Sequence, residues 1–335
     1  MASIHEGRER IAGPDDAGRR LDKILRVILG DRALSEIYAA LRKGRILVNG
    51  AKAGPELRVA EGDRIFIHAS LSPAQKPSTP PGGTEQPSGT EPSLARDAEL
   101  VELADILVLA TKDLLFVNKP RGELSQDGEG QSSGISRRVR EALSARSSAS
   151  LSFVPGALHR LDRNTTGILT FPRSAAGARA FSELVRERKL RKLYLALADG
   201  EAGSAAEWTD RIARDGGAKK SCVDPSGEEA HASMRPLLSR GGQSLILVEL
   251  HSGLTHQIRV QASSRGLPLS GDGKYGGSPF GGGYILHAAA LLFPEPPFPD
   301  LPAAVAAPLP KEARRRLETL FGAEELAAAL AMIPF

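Results

Sequence analysis

The stretch HRLDRNTTGIL, residues 159–169, sets one carboxylate, Asp162, behind the basic-apolar pair Arg160 and Leu161 and ahead of a Thr-Thr-Gly turn. The apolar run from Ile168 to Phe171 that follows predicts a loop feeding a strand, so the carboxylate is held where the chain changes direction. Such a group can serve as a nucleophile, a general acid or base, a metal ligand, or a turn cap without chemistry. Other polar residues stand in comparable settings. Tyr194 lies in the alternating run KLYLA, directly after the cationic stretch RERKLRK of residues 186–192. Thr255 is a natural N-cap, which predicts His256 to Arg259 in the first turn of a helix. Lys119 closes the apolar run Leu114 to Val117 and, taken alone, reads as a surface cation.

Competing chemistries find less support. His159, His251, His256 and His287 could join Asp162 in a metal hydrolase, yet the sequence has no HExxH-like spacing and no carboxylate cluster to bind them together. A serine hydrolase lacks its GxSxG elbow. The lone cysteine, Cys222, rules out an internal disulfide and a multi-cysteine zinc site, as expected in a reducing compartment. Neither a metal nor a cofactor is called for.

HRLDRNTTG resembles the HRLDxxTSG signature of the RluA-type RNA pseudouridine synthases. Further motifs follow in that family's order: VNKPRG at 117–122, KLYLA at 192–196, HSGLTHQIRVQ at 251–261, GDGKYGG at 271–277 and LHAAALLFPEP at 286–296. The resemblance implies that Asp162 is the catalytic carboxylate and that Arg259 pairs with it. It also implies that Tyr194 lines the site, stacking on the target base and relaying a proton. Lys119, in a hairpin bordering the family's cleft, and Arg160, expected to fill the gap left by an extruded nucleotide, become candidate RNA contacts. Tyr275 and His287 read as structural, through hydrogen bonds and packing. The chain departs from the family pattern where Ser252 replaces Thr, Leu254 replaces Arg and Gln261 replaces His. Leu254 removes one expected phosphate or loop contact and leaves Asp162 and Arg259 untouched.

The implied reaction breaks a nitrogen glycosidic bond, rotates the uracil and rejoins it through carbon five. It needs no redox equivalent and no phosphate donor. One carboxylate suffices if water is excluded, either attacking the anomeric carbon or removing a ribose proton to give a glycal. Aspartate ionises with a pKa of about 3.9, so it is charged near neutrality, and a guanidinium partner favours that form. The target must leave its stack, at a cost of a few kcal/mol that basic surfaces and stacking on Tyr194 offset.

The elements that position these residues fall into two parts. A chain of 335 residues suits two domains, and no apolar run approaches a membrane span. Residues 1–69 are expected to form the first domain, with helical apolar spacing at Leu21, Ile24, Leu25 and Ile28, then at Ile37, Ala40 and Leu41. Strand-like runs Ile46–Val48 and 64–67 follow, punctuated by Asn49-Gly50 and Gly62-Asp63. Residues 18–68 carry eleven Lys or Arg against six Asp or Glu, an imbalance that suits a phosphate backbone. Arg19, Arg20, Lys23, Arg42, Lys43 and Arg45 are the candidate contacts. RxLDKxL followed by LRKGRILVNG is similar to the alpha-L RNA-binding motif of small-subunit ribosomal protein four.

Residues 70–97, rich in Pro, Ser and Gly, bury nothing and predict a flexible linker. Residues 98–335 are left for the catalytic domain. The resemblance implies an α+β fold there, a mostly antiparallel, curved mixed sheet flanked by helices, with the cleft across its middle. Helical spacing at Ala178, Phe181, Leu184 and Val185 and a helical tail from Lys311 to Met332 complete the pattern. The expectation is a cytoplasmic, monomeric enzyme acting on structured RNA, ribosomal RNA of the large subunit before transfer RNA. The alternative is a non-catalytic RNA-binding or ribosome assembly factor on the same scaffold.

Overall fold

A computed structural model describes residues 6–30, 32–71, 100–126, 134–143, 150–217 and 220–334. These fall into two compact units. The first holds the described residues of 1–102 with 140–155 and 174–176; the second holds those of 103–139, 156–173 and 177–335. Most of the stretch expected as a linker, 70–97, lies outside the described residues.

In the first unit, strand β1 (Gly7–Ile11) pairs antiparallel with β3 (Arg64–His68), and β3 with β2 (Ile46–Val48). Helices α1 (Leu21–Leu29) and α2 (Leu34–Arg42) cover this sheet. Their apolar stripes, Leu21, Ile24 and Leu25 on one and Ile37, Ala40 and Leu41 on the other, meet Ile46, Val48, Ile65 and Ile67 in one core. Leu71 is buried in that core, so the folded unit runs past the expected boundary at residue 69. β1 was not predicted: GRERI is exposed throughout and carries no alternation, and pairing with β3 alone makes it a strand. Asp16 is fully buried, and its carboxylate accepts hydrogen bonds from the Gly13 and Leu151 amides and from the Ser150 and Ser152 hydroxyls.

The second unit is built on a ten-stranded sheet. Strands β4 (Leu107–Ala110), β5 (Leu114–Lys119) and β6 (Thr166–Pro172) lead to β12 (Leu286–Leu292), then β7 (Arg191–Asp199), β11 (Gln243–Leu250), β10 (Glu228–Arg240), β8 (Ala206–Asp215) and β9 (Lys220–Val223); β13 (Ala304–Ala306) pairs with β12. All pairings are antiparallel except β6 with β12, so the sheet is mixed and mostly antiparallel. The helices are α3 (Ile135–Ala142), α4 (Ala175–Arg186), α5 (Gln257–Ser264), α6 (Lys311–Phe321) and α7 (Ala323–Ala331). The fold is α+β, as the resemblance implied.

Strand alternation decides which side chains reach the cleft. Leu193, Leu195 and Leu197 of β7, with Leu245 and Leu247 of β11, pack against Leu317, Phe321 and Leu326 of α6 and α7. Tyr194, between two of those leucines, is thereby turned to the opposite face. Gly167 of β6 stands at φ +111, where an added Cβ would lie 2.2 Å from the Ala288 carbonyl oxygen. Only glycine permits the parallel approach of β6 to β12 there, directly after the Asp162 loop.

Candidate active site

The loop carrying Asp162 is clamped on both sides. On the near side, the Ser125 hydroxyl donates to the Leu161 carbonyl and accepts from the Leu161 amide, both at 2.9 Å. On the far side, the Arg163 carbonyl accepts from the Gly122 amide at 2.9 Å and from Lys119 Nζ at 3.0 Å. Lys119 Nζ also donates to the carbonyls of Pro120 and Glu123. Lys119 is fully buried, and burial pushes its ammonium down to about 8. The sequence reading of Lys119 as a surface cation and RNA contact is therefore corrected: all three ammonium protons are used to tie the VNKPRG segment to the Asp162 loop. The Pro120 and Glu123 carbonyls would otherwise be unpaired, which is what draws a lysine inward.

Arg259 sits in the first turn of α5 and is almost wholly buried. Its Nη1 donates to Asp162 Oδ2 at 3.1 Å, the pairing the resemblance implied. Its stronger partner is Asp272, which receives Nε at 2.6 Å and Nη2 at 2.8 Å in a two-pronged bridge. The guanidinium lies between the rings of Tyr275 and Tyr284, at 4.8 and 4.7 Å from their centroids. Burial alone would lower its pKa, but the hydrogen bonds to Asp272 and the surrounding acidic groups outweigh burial and raise it. Asp272 and Tyr284 had no role in the sequence reading; the only signal was the GD of GDGKYGG.

The start of α5 differs from expectation. His256, not Thr255, is the N-cap, in the left-handed region at φ 60, ψ 18, and no side chain caps the helix. The Gln257 side chain takes over that region instead, with Oε1 accepting from the Leu254 amide and the Ser252 hydroxyl. His256 Nε2 stands 3.7 Å from Asp162 Oδ2, and burial, the largest influence, lowers its pKa.

A cleft of about 440 Å³ opens over these groups. Asp162, Arg160, Lys192, Tyr194, His256 and Arg259 line it, with apolar walls that include Val185, Leu250 and Leu286. Its size suits a nucleoside. Tyr194 is nearly buried, and burial raises its phenol pKa, so the hydroxyl keeps its proton at neutral pH. Arg160 is exposed at the cleft. Lys192 donates to the Ser252 carbonyl at 3.3 Å, and burial lowers its pKa.

The departures from the motif are absorbed locally. Leu254 packs beside Ile212, Ala230, Val260 and Tyr275. Gln261 is fully buried, with its amide donating to Asp210 and to the carbonyls of Trp208 and Ala230. The histidines weighed as metal ligands have other partners: His159 stacks on Phe181, His251 contacts Ser233, and His287 bridges Thr166 and the Ala307 carbonyl. Among the described residues, no group of three or more His, Cys, Asp or Glu side chains could hold a metal. No helix among them is long and apolar enough to cross a membrane.

Comparison with known proteins bears on this arrangement. The family described as RNA pseudouridylate synthase matches residues 113–264, and the S4 domain matches residues 19–65. Ribosomal large subunit pseudouridine synthase C of Salmonella typhi is 30% identical over 320 residues, covering 91% of this chain and 94% of that protein. The chain belongs to the RluA-type RNA pseudouridine synthases. It is an isomerase that modifies RNA, with an RNA-binding S4 domain ahead of the synthase region. The Escherichia coli K12 synthase of the same description is 29% identical over 320 residues, with the same coverage. Human RNA pseudouridylate synthase domain containing 4 shares the synthase fold at a TM-score of 0.54 and 21% identity, covering 67% of this chain and 97% of that one. Domain containing 1 does so at 0.52 and 24%, covering 68% and 95%. Asp162, Tyr194 and Arg259 all fall within the matched synthase region.

The six cations expected to meet RNA fall into two groups. Arg19 donates to the Ser152 carbonyl at 2.8 Å, and Arg20 pairs with the buried carboxylate of Asp22 at 3.0 Å. Lys23, Arg42, Lys43 and Arg45 are exposed on the synthase's first unit.

Proposed function

We propose that this synthase converts specific uridines of large-subunit ribosomal RNA to pseudouridine, with Asp162 as the catalytic carboxylate. The observation that carries the reading is Asp162 itself: a partly exposed carboxylate in the cleft, with Oδ2 fixed by a buried guanidinium and its loop clamped on either side. Such a group is held in one orientation, which either the acylal or the glycal route requires. Tyr194 offers its ring to the extruded base, and Arg160 is placed to enter the vacated stack. The choice of RNA is supported by the relatives, which are described as acting on the large ribosomal subunit. Residues 1–71 serve as the RNA-binding domain and 72–97 as a linker, while 103–139, 156–173 and 177–335 form the catalytic unit. The exposed thiol of Cys222 suits a reducing cytoplasm.

The test is single-turnover release of tritium from RNA labelled at carbon five of uridine. Wild type should release label from large-subunit ribosomal RNA and not from transfer RNA. Asp162→Asn should slow release by more than roughly a thousandfold while RNA affinity stays within about threefold. Turnover by Asp162→Asn at a comparable rate would remove Asp162 from the chemistry. Release from transfer RNA alone would transfer the reading to that substrate.

A further inference from the structure

We infer that His256 is a positioning residue that works as a neutral hydrogen-bond donor, assigning Asp162 Oδ2 to a holding role and leaving Oδ1 as the oxygen that reacts. This rests on Asp162 being the catalytic carboxylate.

The position of one proton sets the tautomer of His256. The Ser221 backbone amide donates to the Tyr275 hydroxyl oxygen at 3.0 Å. That oxygen lies 2.8 Å from His256 Nδ1 and also meets the Ser221 hydroxyl, which gives its own hydrogen to the Thr255 carbonyl. In the inferred arrangement the Tyr275 hydroxyl accepts from the Ser221 amide and donates to Nδ1. A ring nitrogen that accepts carries no hydrogen, so the single proton of the neutral imidazole is on Nε2. Nε2 is the atom facing Asp162 Oδ2.

Several features hold this geometry. The backbone of His256 is in the left-handed region, uncommon for a residue with a Cβ, and such conformations collect where function needs a fixed direction. The Ser221 hydroxyl donates to the Thr255 carbonyl at 2.8 Å, pinning the residue before it. The Tyr275 ring meets the imidazole edge to face at 5.6 Å. The charged groups around the imidazole are Asp162, Arg259, Lys274 and Asp272, with Lys220 over the Tyr275 ring. Burial keeps the ring neutral, which preserves the acceptor at Nδ1.

The consequence for Asp162 is asymmetric. Oδ2 receives Arg259 Nη1 at 3.1 Å and faces the imidazole donor at 3.7 Å. Oδ1 has neither. If Oδ1 bonds to the anomeric carbon as the glycosidic bond breaks and the uracil leaves with its electron pair, Oδ2 becomes the carbonyl oxygen of the ester and keeps both donors. If Oδ1 instead takes a ribose proton while the uracil leaves with the glycosidic electron pair, Oδ2 keeps them equally. A 3.7 Å approach tightens to a hydrogen bond as the cleft fills and water leaves.

The test uses the full chain and separates this role from a structural one. Nitrogen-15 spectra of the histidine-labelled protein should show His256 with a bare Nδ1 and a protonated Nε2 between pH 6 and 8, and Tyr275→Phe should release that preference. His256→Gly removes the ring while relieving the backbone, so the variant should fold at least as well as wild type. Its single-turnover rate should nonetheless fall roughly ten- to hundredfold with RNA affinity unchanged. His256→Gln, whose terminal amide can present a donor near the position of Nε2, should recover most of that loss. A wild-type rate in His256→Gly, or a proton found on Nδ1, overturns the inference. If Asp162→Asn is inactive in the same assay while His256→Gly is normal, only this inference fails; if Asp162→Asn is active, the reading of the site fails first.

Discussion

The synthase uses the same side-chain chemistry in opposite ways in its two units. In the first, Lys23, Arg42, Lys43 and Arg45 stand exposed, with charges available to any phosphate that approaches. In the second, Lys119 and Arg259 are buried and Lys192 nearly so, each donating to specific oxygens. Exposed cations act at long range and are screened by salt, because their partner's counterions compete for them. Buried ones act through hydrogen-bond geometry, which salt hardly reaches. A basic residue in this sequence is therefore informative only once its burial is known.

The largest effect is expected at Asp272, the main anchor of the Arg259 guanidinium. Asp272→Asn keeps the shape and removes the charge, so Arg259 is free to swing toward Asp162 and spoil its geometry. Single-turnover rate should fall about a hundredfold, with RNA affinity and its salt dependence unchanged. An unchanged rate would mean that Asp162 alone suffices to hold Arg259.

Lys119→Met comes next. The substitution leaves the Pro120 and Glu123 carbonyls without their donor and the carbonyl of Arg163, the residue after Asp162, with the Gly122 amide alone. Chemical denaturation should show a loss of about 2 to 3 kcal/mol, accompanied by a slower turnover. The lysine also has a pH signature. Its folded pKa, about 8, lies below the ordinary value of 10.5, so the unfolded chain binds more protons between those limits and stability rises with pH across that window. Lys119→Met should flatten the rise; an unaltered profile would show that the ammonium is not buried.

How much of this was legible in the sequence depends on which interactions are local. Asp162, Tyr194 and Arg259 stand in motifs whose order could be read along the chain, and the structure brings them to one cleft. Lys119 was misread because its partners, three backbone carbonyls, leave no trace in residue type. Asp272 and Tyr284 were missed because they grip Arg259 from elsewhere in the fold, through contacts that only tertiary structure creates. Thr255 looked like a cap by local preference, but Gln257 satisfies the nearby groups and displaces the boundary by one residue. Strands β8 to β10 escaped for another reason. In AEWTDRIARD only Trp208 and Ile212 are buried, and the polar Asp210 takes the inward-facing position between them, so residue type hides the alternation.

Acid should distinguish the units as well. His287 is buried between β6 and β13, its Nε2 donating to the Ala307 carbonyl and its Nδ1 accepting from the Thr166 hydroxyl. Burial pushes it down to about 4, against 6.5 for an ordinary histidine. The unfolded chain binds the extra proton first, so this contribution is complete above pH 6.5 and is lost as pH falls toward 4. The loss amounts to about 2 kcal/mol at pH 5. Thermal unfolding of His287→Gln should show a shallower decline between pH 6.5 and 5 than wild type. Equal slopes would assign the acid sensitivity to other groups, His159 among them, which burial also pushes down to about 4.

The smallest effects are expected from the exposed cations, and they are the most diagnostic of the first unit. A lysine or arginine that meets one phosphate contributes a slope of about 0.7 to 0.9 in the logarithmic dependence of RNA affinity on salt. Replacing Lys23, Arg42, Lys43 or Arg45 singly by Gln should remove about one such increment, weaken binding a few-fold and leave the turnover of bound RNA untouched. Arg20→Gln should behave differently, because Arg20 spends its charge on Asp22. Losing that partner uncovers a buried carboxylate, so stability should drop before the salt slope does. If Arg20 instead changed the slope as much as Lys43, the ion pair with Asp22 would have to open on RNA, and the line between committed and available cations would run through the first unit rather than between the two.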